Sequence, residues 1–556
     1  MPYTPIPSLA GCSLVLVTSA CLLGCAPEGI PPKFDDGDVP QVDSPSALSD
    51  RWWEAGPIMQ IYVRSYRDTN GDGKGDLPGI IEKLDYLKAL GVKGIWMTPV
   101  FQSQDQDHGY SVTDYRNIDP DLGTLADFDS LVSEAHARGI GLIIDYVANH
   151  SARQHPAFVR SEAAGTYRDW YVWRAADPGG WTTWNTAKPD PWTADGTSGV
   201  FYAVFSDQMP DFNLDNPAVL EFHRNNLRFW LNRGVDGVRF DAVSELTNLQ
   251  GGAQDDAGSA VISGALSATV KGYPNRWAIC EAATAEIQGQ WAPARHASAS
   301  ACGAAFGFPL NFIFNEITAS QRPTLGKASE SLTWFFANFP AERMGTLLGN
   351  HDYFAATLDG TYRGREYDIV GGDVAAYKFA AALNLLSPGI PFIYYGEEIG
   401  MSKQTGDPGQ YEQLRAPMSW DLKSGFSSRT PYRPYATNRA PFNVAAETDD
   451  PGSLLGWYQQ LIQLRAKYPV LQRGLPEAID GGAANGAAFV YTRVLGSDRV
   501  WLVYNPGKVT ASVTSALDAP VEAIFNPGNV KVDRAGARLT FSEIPPRGVA
   551  VWKQLN

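Results

Sequence analysis

Acidic, basic and imidazole side chains stand at the ends of several apolar runs of the chain. Asp145, Asn149 and His150 end or follow IGLIIDYV (140–147), and Arg239 and Asp241 close VDGVRFD (235–241). Glu281 closes RWAICE (276–281), and His351 and Asp352 follow MGTLL (344–348). If these runs are parallel strands of one barrel, Asp241, Glu281 and Asp352 meet at one mouth with no lysine cluster to neutralise them. Arg239 precedes Asp241 by two residues, so both lie on one strand face. A guanidinium there keeps Asp241 ionised, as a nucleophile requires. Glu281 follows Trp277-Ala278-Ile279-Cys280, and partial desolvation would raise its pKa, as a general acid requires. Taken singly, each acid reads equally well as a polar cap on a buried strand. The ordered set does not.

A second pattern is Asp68-Thr-Asn70-Gly-Asp72-Gly-Lys74-Gly-Asp76. Side-chain oxygens fall at alternate positions, and the backbone carbonyl of Lys74 falls at the seventh. This is the front half of an EF-hand-type loop, an oxygen set suited to Ca²⁺. Gly79 stands where that motif needs a glutamate, so the expectation is a structural Ca²⁺ site of another kind, held by Asp68, Asn70, Asp72, Lys74 and Asp76.

The elements that must position these groups alternate. Strand patterns at 58–63, 94–98, 140–147, 235–241, 276–281, 344–348 and 391–395 are separated by helical patterns, among them 78–90, 124–138, 217–233, 322–339, 372–386 and 452–467. One further strand must lie within 304–314, where FGFPLNFIF is ambiguous. Apolar β-branched runs suit strands buried on both faces. The fold class is therefore α/β: a (β/α)₈ barrel over 51–148 and 215–468. Residues 149–214, rich in Trp, Asp, Pro and Gly, read as a small domain inserted after the third strand. Residues 469–556 read as an all-β sandwich, with 487–494 and 500–505 forming a hairpin.

The ends of the chain carry other signals. Leu9–Leu23 has the length of a signal-peptide core, and Leu22-Leu23-Gly24-Cys25 resembles a lipoprotein cleavage box. Residues 1–24 read as a signal peptide and 25–50 as a flexible tether. The expectation is an exported protein, held to a bacterial envelope membrane only by a lipid on Cys25. The n-region lacks Lys and Arg, which departs from the usual signal. Cys280 and Cys302 are the only cysteines of the body; two buried thiols are expected of them, with a single bridge between the two as the alternative. A net charge of −15 makes nucleic acid a poor partner, and 44% hydrophobic residues exclude a disordered chain. The 16 tryptophans serve a core or a sugar-binding cleft equally well. The protein is expected to act as a monomer.

From about residue 52 the chain resembles the alpha-amylase family of glycoside hydrolases. DYVANH (145–150), GVDGVRFDAVSE (234–245), ICEA (279–282), LLGNHD (347–352), MPDFN (209–213) and GIPFIYYGEEIG (389–400) match that family's motifs in order. The resemblance implies a retaining mechanism on an α-glucan or maltooligosaccharide. Asp241 would be the nucleophile, Glu281 the acid/base and Asp352 the transition-state stabiliser, with the first two carboxyls about 5–5.5 Å apart. Tyr110, His150, Arg239 and His351 match sugar-gripping positions, and many members bind Ca²⁺ with an Asp-rich loop like that at 68–76.

The reaction type is divided. Ala242 after Asp241 and Met209 at the head of its block favour α-1,4 linkages. His108 agrees with amylases, whereas Asp107 and Arg415 resemble an ion pair that closes the pocket of exo-acting relatives. The first expectation is an α-amylase; the alternative is an exo-acting α-glucosidase or a trehalose- or maltose-forming transfer enzyme. The remote alternative is a non-catalytic glucan-binding lipoprotein.

Overall fold

The computed structural model describes residues 34–555 except 163–166, 184, 186, 249–250, 253, 283–291, 321–326, 353–363, 407–410 and 482–487. Residues 1–33, where a signal peptide and a lipid-bearing Cys25 are expected, lie outside the described residues.

Eight parallel strands close into a barrel: β1 (Ile58–Ile61), β2 (Gly94–Met97), β3 (Gly141–Tyr146), β4 (Gly237–Phe240), β5 (Trp277–Cys280), β6 (Ala305–Phe306), β7 (Met344–Thr346) and β8 (Ile390–Tyr394). The α/β barrel expected from the alternation is thus the observed architecture. Around it run α1 (Leu77–Leu90), α2 (Leu125–His136), α3 (Pro217–Asn232), α4 (Asp256–Lys271), α5 (Ala292–His296), α6 (Phe308–Asn315), α7 (Ala328–Asn338), α8 (Val374–Leu386) and α9 (Leu454–Lys467). Their starts are written locally. Asp76, Thr124, Asn216, Asp255, Asp373 and Ser453 each accept a first-turn backbone N–H as N-caps. The ambiguous FGFPLNFIF resolves into a two-residue strand and then α6, because Pro309 stands in the helix's first turn, where its missing N–H has no cost.

The barrel interior is a stack of apolar layers. Ile58, Ile143, Ile279, Phe306 and Phe392 fill it, with Trp96 above and Trp52 below. Trp52 comes from the short 3₁₀ turn before β1 and plugs the lower end. Gly94 and Gly141 begin their strands because the indole occupies their side-chain space: a Cβ on Gly141 would lie 2.6 Å from the ring.

The insertion after β3 contains a helix, Pro156–Glu162, and a three-stranded antiparallel sheet of Trp173–Arg174, Trp192–Ala194 and Val200–Tyr202. The C-terminal part has a five-stranded and a three-stranded sheet. Between them pack Trp501, Phe541 and Trp552. The expected hairpin pairs Phe489–Leu495 with Asp498–Tyr504.

Two local findings differ from the composition-based reading. Residues 34–50, read as tether, follow the outside of the barrel without helix or strand and are bonded to it. Val39 N–H donates to Asn225 (2.8 Å), Gln41 to the Gly272 carbonyl (2.8 Å), and Asp35 pairs with Arg116 (2.9 Å). Phe34 stands edge-on to Tyr167 at 5.1 Å. Cys280 and Cys302 are a disulfide, correcting the expectation of two free thiols. Their Cα atoms lie 6.0 Å apart, a separation that sequence spacing alone does not reveal.

The Trp52 plug is testable. Gly141→Ala drives a methyl into three indole atoms and is expected to destabilise the fold by about 1–3 kcal/mol. The readout is the urea unfolding midpoint at constant slope. A midpoint equal to that of the parent would show that the ring yields freely.

Candidate active site

The candidate site forms where strand register aligns charged residues at the upper barrel rim. Asp145 on β3 pairs in register with Arg239 on β4, and Arg239 with Ile279 on β5. Arg239 is fully buried and lies over the Trp96 ring, 5.1 Å from its centroid. Its Nη1 reaches Asp145 Oδ1 (2.6 Å) and Asp241 Oδ1 (2.5 Å), and its Nη2 reaches Glu281 Oε2 (2.6 Å). One guanidinium therefore binds three carboxylates. Asp145 is secured further by Trp96 Nε1 (3.1 Å) and the Tyr110 hydroxyl (2.9 Å).

Beyond Asp241 the chain turns sharply. Ala242 takes a left-handed conformation (φ 45°), at a cost of order 1–2 kcal/mol for a residue other than glycine. The turn aims the Ala242 N–H at Glu281 Oε2, 3.1 Å away. The two candidate working carboxyls are thus fixed by one guanidinium and by consecutive backbone positions.

The expectation that Arg239 simply keeps Asp241 ionised needs correcting. Burial raises the Asp241 carboxyl well above its ordinary value, and the charges of Glu281 and Asp145 add to the rise that Arg239 opposes. Burial likewise lifts Asp145, to about 6. Arg239 thus favours the charged form of Asp241 and Asp145, but one cation offsets the burial of these carboxyls only in part.

His351 joins this cluster to Asp352. Gln60 donates to its Nδ1 (2.7 Å), which leaves the N–H on Nε2, facing the Tyr110 hydroxyl (2.7 Å) and Asp352 Oδ2 (3.1 Å). Burial, with Arg415 and Arg239 nearby, drives its pKa far down, so the ring is neutral. Its ring stacks on Tyr110 at 5.6 Å.

Asp107 and Arg415 do meet. Arg415 Nη1 lies 2.9 Å from Asp107 Oδ2, and its Nη2 lies 3.3 Å from Asp352 Oδ1. Burial works against the Asp107 charge, but Arg415 and Arg433 outweigh it and hold the carboxyl below its usual range. The Tyr62 hydroxyl adds a bond to Asp107 of 2.8 Å. His150 is buried beside Phe205, and desolvation lowers its pKa to about 3. His108 is partly exposed and accepts the Tyr110 N–H at Nδ1 (3.1 Å).

Sequence reading gave no site role to Gln60, Tyr62 or Arg433, and it named Asp145 only as an acid at a strand end. Gln60 carries a signal in retrospect, as the lone polar residue of a wholly buried strand. Arg433 carries none: it belongs to an irregular loop and acts only through its contact with Asp107.

In the loop at 68–76, Asn70 Oδ1 accepts from Asp72 N–H (2.8 Å), Asp72 Oδ1 from Lys74 N–H (2.7 Å) and Asp68 Oδ1 from Gly71 N–H (2.7 Å). Asp76 caps α1 through the Gly79 N–H (2.7 Å), and the Lys74 ammonium pairs with Asp121 (2.7 Å). Among the described residues no three His, Cys, Asp or Glu side chains gather as a metal-holding group. Asp68 Oδ1, Asn70 Oδ1 and Asp72 Oδ1 each accept one N–H and keep a second lone pair suited to a hard cation. Asp68 Oδ2 already accepts from Gly73 N–H and Ser427 Oγ, and Asp76 accepts from Thr69, Asn70 and Gly79, so these oxygens would have to exchange hydrogen bonds for the ion.

The shared guanidinium yields a prediction. Arg239→Met leaves the carboxylates buried without a cation and is expected to cost about 3–5 kcal/mol at pH 7.5. The loss should shrink at pH 5, where protonation neutralises the acids. Urea unfolding at both pH values decides, and an equal loss at each would refute the charge argument.

Comparison with known proteins places this geometry. Residues 60–474 match the family model described as the alpha amylase catalytic domain. The chain is 30% identical to an oligo-1,6-glucosidase of Parageobacillus thermoglucosidasius over 521 residues, covering 82% of this chain and 90% of that protein. It is 32% identical to a trehalose synthase of Pimelobacter sp. over 505 residues, covering 82% and 87%. The crystal structure of the alpha-amylase from H. orenii superposes with a TM-score of 0.77 at 31% identity, over 90% of this chain and 99% of that one. The chain belongs to the alpha-amylase family of glycoside hydrolases.

Proposed function

We propose that the protein is an exo-acting retaining α-glucosidase that removes single glucose units from α-1,4-linked maltooligosaccharides. The observation carrying this reading is the junction of Asp107 with Arg415 and Arg433, where Arg415 also reaches Asp352. Such a junction beside a candidate catalytic carboxylate supports a pocket closed at one end. Ala242 and Met209 support the α-1,4 preference.

The chemistry follows from the shared guanidinium. Asp241 attacks the anomeric carbon as the bond to the leaving oxygen breaks, and Glu281 gives that oxygen its proton. Water then loses a proton to Glu281 and attacks the same carbon, freeing Asp241. Asp352, oriented by His351 and Arg415, binds the sugar as positive charge develops on its ring. The His150 Nε2, without a hydrogen-bond partner among the described residues, supports a role in holding a sugar hydroxyl.

A second reading, an endo-acting α-amylase, is favoured by the likeness to the H. orenii enzyme. Maltoheptaose, free and with its non-reducing end blocked, separates the two. Exo action predicts glucose release from the free substrate only, and comparable cleavage of the blocked one would establish endo action. Asp241→Asn and Glu281→Gln are each expected to lower hydrolysis at least about 1,000-fold, and activity near the parent's in either would sink the site assignment.

We further propose that Asp68, Asn70, Asp72, Asp76 and the Lys74 carbonyl hold a structural Ca²⁺. A chelator is then expected to lower the melting temperature by several degrees, restored by Ca²⁺ and abolished in Asp72→Ala. An unchanged melting curve would refute the site. Export is supported by the Cys280–Cys302 bridge, since disulfides persist in oxidising compartments.

A further inference from the structure

The barrel is unevenly closed around Glu281. On one side β5 lies against β4 over its whole length, with Trp277, Ala278, Ile279 and Cys280 each in register with a β4 residue. On the other side it meets β6, and among the described residues these two strands pair only through Cys280 and Ala305. There the Cys280 N–H donates to the Ala304 carbonyl (3.0 Å). A seam with so few backbone bonds opens more readily than its neighbours. This seam falls one residue before a candidate catalytic carboxylate.

The Cys280–Cys302 bridge crosses it, and both cysteines are fully buried. The segment around Cys302 is itself anchored. From α4, the Ser267 hydroxyl donates to the Cys302 carbonyl (2.7 Å) and the Lys271 ammonium to the Ala301 carbonyl (3.3 Å). The Gly303 N–H donates to the His296 carbonyl at the end of α5 (3.1 Å). The bridge therefore fastens the end of β5 to the helical layer outside the barrel. Strand alternation turns Cys280 toward that layer and Glu281 toward the interior, in line with Ile279 packing inside the barrel and Cys280 in the outer core. The sulfurs thus act on Glu281 through the backbone.

The bonds of Glu281 itself face the other way. Its N–H donates to the Phe240 carbonyl (2.9 Å), and its carbonyl accepts from the Val243 N–H (3.0 Å). Its carboxylate meets Arg239 and the Ala242 N–H. All of these partners belong to β4 or to the turn after it. On the β6 side the covalent restraint beside Glu281 is the bridge.

We infer that the Cys280–Cys302 bridge is a positioning device for the acid/base: it fixes the β5 backbone so that the Glu281 carboxyl meets the leaving oxygen. The inference rests on the acid/base role proposed for Glu281 above. Asp241 lies beyond β4, whose pairing with β3 does not involve the bridge, so loss of the bridge impairs protonation of the leaving group more than attack by Asp241.

Two substrates separate these steps. Maltose needs a proton on its leaving oxygen, whereas a dinitrophenyl α-glucoside releases a phenolate that departs without one. Cys280→Ala combined with Cys302→Ala is expected to lower kcat/KM for maltose about tenfold or more relative to that for the aryl glucoside. A misplacement of about 1 Å costs on the order of 100-fold, and general acid catalysis contributes about 100–10,000-fold. Cys280→Val combined with Cys302→Ala refills the space without the bond, serves if the first pair folds poorly, and should show the same split. Glu281→Gln, measured alongside, should show the largest. Unchanged kinetics, or an equal loss on both substrates, in cysteine pairs whose Glu281→Gln counterpart does split, makes the bridge merely structural and overturns the inference. A Val/Ala pair with the parent's ratio would credit packing instead of the bond, and also overturns it. An equal loss on both substrates in Glu281→Gln sinks the acid role, and the positioning role falls with it.

Discussion

One buried guanidinium organises this molecule. Arg239 rests on the Trp96 ring at the top of the apolar stack and meets Asp145, Asp241 and Glu281. Without it, three carboxylates would face one another at low dielectric, a cost far beyond what a few hydrogen bonds offset. With it, the cluster is tolerable, although burial still raises the carboxyls of Asp241 and Asp145 against its pull. The same ion cluster therefore bears on both the stability of the barrel mouth and the charge of the candidate site.

The barrel supplies the precision that this cluster demands. Parallel register sets Asp145 beside Arg239, and the layers beneath, from Trp52 to Phe306, keep the strands from sliding. The Cys280–Cys302 bridge ties the residue before Glu281 to the approach to β6. His351 extends the network to Asp352 through Tyr110, and its neutral ring lets it donate without adding charge to an already crowded mouth. From Asp352 the chain of contacts continues through Arg415 to Asp107. Asp352 and Asp107 are therefore coupled through one arginine, and altering Asp107 without disturbing Asp352 would require keeping that arginine in place.

Much of this was legible in the chain. Helix caps, apolar strand runs and the hairpin around Gly496 follow from local propensity, because each depends on neighbours a few residues away. The acids at strand ends were identifiable because strand period and barrel polarity assign them a face and an end. The short sixth strand was not, since a two-residue strand has no periodicity to detect. The segment at 34–50 has the composition of a tether, yet its backbone bonds to Asn225 and Gly272 decide its course.

The sequence by itself determined the α/β barrel, the family and the identity of the candidate carboxylates, because those depend on pattern and order along the chain. Only the tertiary structure decided how their charge is shared. Arg239 was read as the partner of Asp241 alone, from their spacing of two, but register brings Asp145 and Glu281 to the same guanidinium. Gln60, Tyr62 and Arg433 became visible only once distant loops met at Asp107 and His351. The pairing of Cys280 with Cys302 arose in the same way. Each depends on distances between segments far apart in sequence, and no local pattern encodes such distances.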